Sequence, residues 1–129
     1  MPRHKEKTLT DLELAIMEIV WQKGQATVRD VYEAIQPIRP LAYNTILTVL
    51  TKLREKGIVS SQPRGKAYLY TPLVSETEAA KRSVTRIMEQ FFAGSARSLV
   101  AHLIKTQSME PDELEELKRL VDETLEGES

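Results

Sequence analysis

Asn44, Thr48, Thr51 and Lys52 are the residues of this 129-residue chain best spaced to act together. At about 100° per residue they share one face of a helix over residues 42–56, with Glu55 beside them. An amide, two hydroxyls and a lysine amine, with no activating base beside them in this pattern, are suited to binding. They exchange hydrogen bonds with base edges and phosphates. An ordinary solvated face would carry more Lys–Glu pairs. The opposite face is apolar, with Ile46, Val49, Leu50 and Leu53 at the spacing of one buried stripe. Gly57 follows a last turn holding Lys52, Arg54 and Lys56, which stops the helix.

Residues that would support bond-breaking chemistry are absent or scattered. His4 and His102 stand far apart, and the chain has no cysteine. No cluster has the spacing of a metal site. The five glycines fall at helix ends and turns, not in a phosphate-binding loop. Asp112, Glu113, Glu115 and Glu116 read as a solvated first turn, and His102 as structural. The expectation is a protein without catalytic residues, metal or cofactor, and not an enzyme.

The elements around the polar face give it a setting. After Gly57 the period changes to two, so residues 58–62 and 67–71 read as strands, with Pro63-Arg64-Gly65-Lys66 as the turn. A helix followed by a hairpin with basic Arg64 and Lys66 at its tip is a winged-helix plan. The helix enters the major groove and the wing touches the backbone. The same pattern also fits any small α+β domain with a surface hairpin.

Upstream, Thr10 and Glu13 form a capping box for a helix running to about Lys23, with Leu12, Ile16, Ile19 and Val20 buried and Trp21 as a core anchor. Residues 26–28 could pair as a third strand. Thr27 caps the next helix, whose stripe is Val28, Val31, Tyr32 and Ile35. Pro37 and Pro40 bracket a stiff connection flanked by Arg29 and Arg39. Downstream, Ser75 to Glu78 is another capping box. Its helix carries Ala80, Val84, Ile87, Met88 and Phe91 and ends at Gly94. Two more helices carry Leu99, Val100, Leu103 and Ile104, then Leu114, Leu117, Leu120, Val121 and Leu125. Three short amphipathic helices bury their stripes poorly alone. Either they fold back on the winged domain or a second copy covers them. The second is expected, with Ile87, Phe91, Leu99, Leu103, Leu114, Leu117 and Val121 at the dimer interface.

The fold class expected is therefore mainly α with a small β-hairpin wing. A winged helix-turn-helix domain (residues 8–73) precedes a helical dimerisation segment (residues 74–126). Charge divides similarly: residues 1–72 hold 11 Lys or Arg against 7 Asp or Glu, and residues 73–129 hold 7 against 12. A basic half joined to an acidic half suggests a nucleic-acid end and an end with another purpose. With no signal peptide, membrane-length apolar run or cysteine, the expected location is the cytoplasm.

The strings LTDLELAIMEIVW, ATVRDVYEAI, AYNTILTVLTKLREKGIV and GKAYLYTPLVS, with GSARSLVAHLI and DELEELKRLV, resemble the BlaI/MecI penicillinase-repressor family over residues 8–125. The resemblance implies a homodimeric repressor on a palindromic DNA operator with TACA/TGTA-like half-sites. It implies base reading by Tyr43, Asn44, Thr45, Leu47, Thr48 and Thr51, and phosphate contacts by Lys52, Arg64 and Lys66. The face analysis picks Asn44, Thr48, Thr51 and Lys52 without it; Tyr43, Thr45 and Leu47 come from the resemblance alone. The resemblance also implies a membrane sensor protease, which cuts an Asn-Phe bond in the antibiotic-resistance members. The matching pair here is His102-Leu103, a departure from that pattern. The cysteine cluster of the copper-responsive branch is missing.

A rival from another class is a winged-helix protein-interaction module. The polar outer face of the 42–56 helix argues against it, because protein interfaces favour aromatic anchors there.

Overall fold

The computed structural model describes residues 8–127. His4 and the expected polar tail up to Lys7 lie outside the described residues. The chain divides into two compact units, Met1–Arg86 and Ile87–Ser129.

The first unit begins with α1 (Asp11–Lys23). Its start is set by a reciprocal cap: Thr10 Oγ1 accepts from the Glu13 N–H at 3.2 Å, and the Glu13 carboxylate accepts from the Thr10 N–H at 2.9 Å. Gly24, at φ +85°, closes it. α2 (Val28–Ile35) repeats the device with Thr27 and Asp30. α3 (Tyr43–Glu55) follows after the proline-bracketed turn, in which Ile38 and Arg39 both donate to the Ile35 carbonyl.

Ile16, Met17 and Val20 from α1, Val31 and Ile35 from α2, and Ile46, Leu50 and Leu53 from α3 meet in one core. Each buried aliphatic side chain contributes about 1.5–3 kcal/mol. The apolar stripe expected on α3 is the one that is buried. Trp21 is half-buried, and its Nε1 donates to the Val74 carbonyl at 2.9 Å.

The wing consists of β1 (Val59–Arg64) and β2 (Ala67–Pro72), antiparallel, with Arg64 opposite Ala67. The turn is only Gly65-Lys66, so the expected four-residue turn from Pro63 is corrected to two. Gly65 takes φ +61° and Lys66 does not take a positive φ, the pattern of a type II′ hairpin. Pro63 sits in the strand opposite Tyr68. Hydrogen-bonded and non-bonded pairs alternate outward from the closing pair Arg64–Ala67. Pro63 therefore occupies a non-bonded position, where its missing N–H faces the open edge and costs no ladder bond. The third strand expected at residues 26–28 is reduced to a single bridge, in which Ala26 and Tyr70 exchange both backbone bonds at 3.0 and 2.8 Å.

α4 (Glu76–Phe91) starts in the first unit, where Ser75 Oγ accepts from the Glu78 N–H and Ala79 is buried. It ends in the second unit at Phe91, before the expected Gly94. Ala93 (φ +51°) and Gly94 (φ +79°) are both left-handed, and the Gly94 N–H reaches back to the Met88 carbonyl. Ser95 then caps α5 (Ala96–Thr106), and α6 (Pro111–Gly127) opens on proline with Asp112 and Glu113 in its first turn. Neither α5 nor α6 has a buried residue. Among the described residues, no helix is long and apolar enough to cross a membrane.

Candidate nucleic-acid interface

α3 presents its polar face outward. Asn44, Thr48, Lys52 and Glu55 are exposed, and Thr51 is half-buried. Tyr43 and Leu47 flank this line on one side, each about two-fifths exposed, and half-buried Thr45 lies on the other. Asn44, Thr45, Thr48 and Lys52, with Leu12 and Val49, line an open hollow of about 370 Å³. The residues predicted from sequence on this helix are thus brought to one face and its margins.

Neighbouring elements hold the helix in position. The Tyr32 and Tyr43 rings meet at 5.8 Å, tilted by 58°, which fixes the start of α3 on α2. Gln36 Nε2 donates to the Leu41 carbonyl at 2.7 Å and ties down the connection. Glu13 fixes the other end. It is only 5% exposed, and its carboxylate meets Lys56 Nζ at 2.8 Å. One side chain thus caps α1 and anchors the end of α3. Sequence analysis found its capping role and missed its pairing, because the partner is 43 residues away.

The start of α3 is chemically open. Thr10, Thr27, Ser75 and Ser95 supply hydroxyl caps elsewhere, but the residue before α3 is Ala42, and no side chain caps this helix. The first-turn N–H groups therefore have no side-chain cap at the positive end of the helix dipole.

Arg64 and Lys66 are exposed at the wing tip. Arg54, which the site prediction omitted, leaves the last turn of α3 and donates to Ser61 Oγ on β1 at 3.4 Å. Arg29 pairs with Glu33 at 3.1 Å, whereas Arg39 is exposed.

Two groups are shifted by these surroundings. The Thr27 backbone N–H donates to the Asp30 carboxyl and holds it below its ordinary 3.8; desolvation opposes this, and the Thr27 hydroxyl, Lys23 and Arg64 add smaller effects in the lowering direction. Its stabilising contribution is present at neutral pH and is lost as the pH falls through the lowered value. Burial pushes the Tyr70 phenol up from 10.0, with Tyr68 and Tyr43 adding to the effect and Arg54 opposing it.

In the second unit, His102 is exposed on α5, its ring 5.4 Å from that of Phe92. Among the described residues no group of three His, Asp or Glu side chains is placed to hold a metal ion. Of the expected interface residues, Leu99 and Leu117 are half-buried, while Ile87, Phe91, Leu103, Leu114 and Val121 are exposed.

A family model described as penicillinase repressor matches residues 9–123. The methicillin resistance regulatory protein MecI of Mammaliicoccus sciuri is 27% identical over 118 residues, covering 92% of this chain and 96% of the relative. The penicillinase repressor of Bacillus licheniformis is 23% identical over 115 residues, 89% and 90% of the two chains. Among solved structures, the DNA-binding domain of the repressor BlaI in solution superposes with a TM-score of 0.51 at 24% identity. It covers 60% of this chain and 93% of that domain, and shares its fold.

Proposed function

The chain belongs to the penicillinase-repressor family of DNA-binding transcriptional repressors, and from that premise we propose that it represses transcription as a homodimer on a palindromic operator with TACA/TGTA-like half-sites. The observation that carries this reading is the outer face of α3: uncapped at its start, polar along its length and held at both ends. Tyr43, Asn44, Thr45, Leu47, Thr48 and Thr51 meet base edges, with Leu47 suited to a thymine methyl. Lys52, Arg64 and Lys66 hold phosphates, and the open first-turn amides of α3 add to them. The protein works as a binder in the cytoplasm and not as an enzyme.

Residues 8–73 form the DNA-binding part and residues 74–126 the dimerising part. Support for the latter comes from α5 and α6, whose apolar side chains are left uncovered. Val100, Ile104, Leu114, Leu117, Leu120 and Val121 line an apolar groove of about 350 Å³, which a second copy covers. A two-fold pair then sets two copies of α3 on two half-sites. The family's cleavage position falls at His102-Leu103 inside α5. Thr106 and Gln107 donate to the carbonyls of these two residues at 2.7 and 3.0 Å. A protease reaches that bond only after local opening of the helix.

The test is a fluorescence-anisotropy titration on a duplex from the region upstream of the protein's own gene, against a scrambled duplex, at several salt concentrations. The expected result is selective, steeply salt-dependent binding that saturates at two chains per site. Thr48→Ala is expected to lose about 1–3 kcal/mol on the native duplex only. Lys66→Ala should weaken binding to both duplexes and reduce the salt slope by about one. Equal binding to both duplexes would overturn the reading.

A further inference from the structure

The proton of the Thr51 hydroxyl already has a partner. Thr51 Oγ1 donates to the Leu47 carbonyl, one turn back in α3, at 2.8 Å. Thr106 and Thr124 make the same bond in α5 and α6, so the bond itself is common helix behaviour. Thr51 differs from them in its position on the face that the repressor reading turns toward the bases. With its hydrogen committed, the oxygen offers that face only lone pairs. Thr48, three residues earlier, has no such bond among the described residues, so its hydroxyl can turn to donate or accept.

The major groove gives this difference a meaning. Guanine O6 and N7, adenine N7 and thymine O4 are acceptors, and each repels a second set of lone pairs. The donors there are the adenine N6 and cytosine N4 amino groups. We infer, resting on the repressor reading above, that Thr51 is an acceptor-only reader. Every base pair carries one exocyclic amino group, from adenine or cytosine, so Thr51 selects the orientation of the pair, the one that brings that amino group and not a guanine or thymine acceptor to its place in the half-site. Half-burial of Thr51 and its bond to the Leu47 carbonyl hold the oxygen in this role. Turning it to donate requires that bond to break.

The experiment uses the full-length protein and the native duplex. Each adenine of one half-site is replaced in turn by purine deoxyriboside, which lacks the N6 amino group. Each cytosine is replaced by pyrimidin-2-one deoxyriboside, which lacks the N4 amino group. Wild type is compared with Thr51→Val, which keeps the shape and loses the oxygen, and with Thr51→Ser, which keeps the hydroxyl. Circular dichroism checks the fold of both variants.

One position is expected at which amino removal weakens wild type and Thr51→Ser by about tenfold and leaves Thr51→Val unchanged. Which analogue shows the effect identifies adenine or cytosine. At that position 7-deazaadenine, which keeps the amino group and loses N7, should bind wild type normally if the base is adenine. Sensitivity to amino removal that persists in Thr51→Val at every position, or no sensitive position at all, overturns the assignment of Thr51 while selective binding of the native duplex stands. Loss of selectivity between native and scrambled duplexes overturns the repressor reading, and this inference with it.

Discussion

Glu13 shows what a single side chain contributes at the residue scale. It is buried, bonded to the Thr10 N–H and paired with Lys56. Lys56→Met is expected to leave that carboxylate without its counter-charge and to cost about 3 kcal/mol in a urea titration. Adding Glu13→Gln should recover part of the loss; no recovery would mean that the lysine stem, not its charge, matters. Glu55 is the opposite case, an exposed carboxylate on the outer line of α3 that is proposed to face DNA. Glu55→Gln should raise affinity for native and scrambled duplexes alike by about two- to fivefold, as expected for one exposed charge. A gain confined to the native duplex would instead make Glu55 a base reader. The outer-face residues were legible because each follows from helix spacing alone. Leu47 was not, since an apolar side chain at the margin gives no polar signal. The Glu13–Lys56 pair was not, since contact across two helices leaves no local pattern.

At the scale of elements, α1 to α3 were legible nearly to the residue, because capping boxes and buried stripes agree there. The wing was legible as a hairpin but not in its turn. Proline and glycine are the usual turn signals, yet Pro63 lies in an edge strand, where a missing N–H is harmless. The end of α4 was misplaced for a related reason: glycine marked the stop, but alanine takes the first left-handed position. Ala93, at φ +51°, is the non-glycine residue with positive φ among the described residues. An L-residue pays roughly 1–2 kcal/mol for that conformation, and glycine loses about 0.4–1 kcal/mol through its freer unfolded chain. Ala93→Gly is therefore expected to raise stability by about 0.5 kcal/mol, read as a later denaturation midpoint at fixed protein concentration. An unchanged or earlier midpoint would show that the backbone there is unstrained.

At the scale of the whole molecule, the proposed repressor works through a second copy. Val121 is 57% exposed on α6 beside Leu120. Val121→Asp is expected to shift the protein to a monomer in sedimentation and to weaken operator binding by at least about 100-fold, the scale of losing a linked second site. A dimer that survives this change would move the interface away from α6. The acidic balance of residues 73–129, 12 Asp or Glu against 7 Lys or Arg, keeps this half from competing for phosphate. The sequence shows which helix faces need covering, but not what covers them, because unsatisfied apolar area does not name its partner.

A hairpin with an open edge is an invitation to edge-to-edge zipping between copies. β1 is such an edge. Pro63 stands near its tip with no hydrogen to offer, so a neighbour's strand finds no donor there. The outer edge of the wing is thus a poor template for the strand of a second copy.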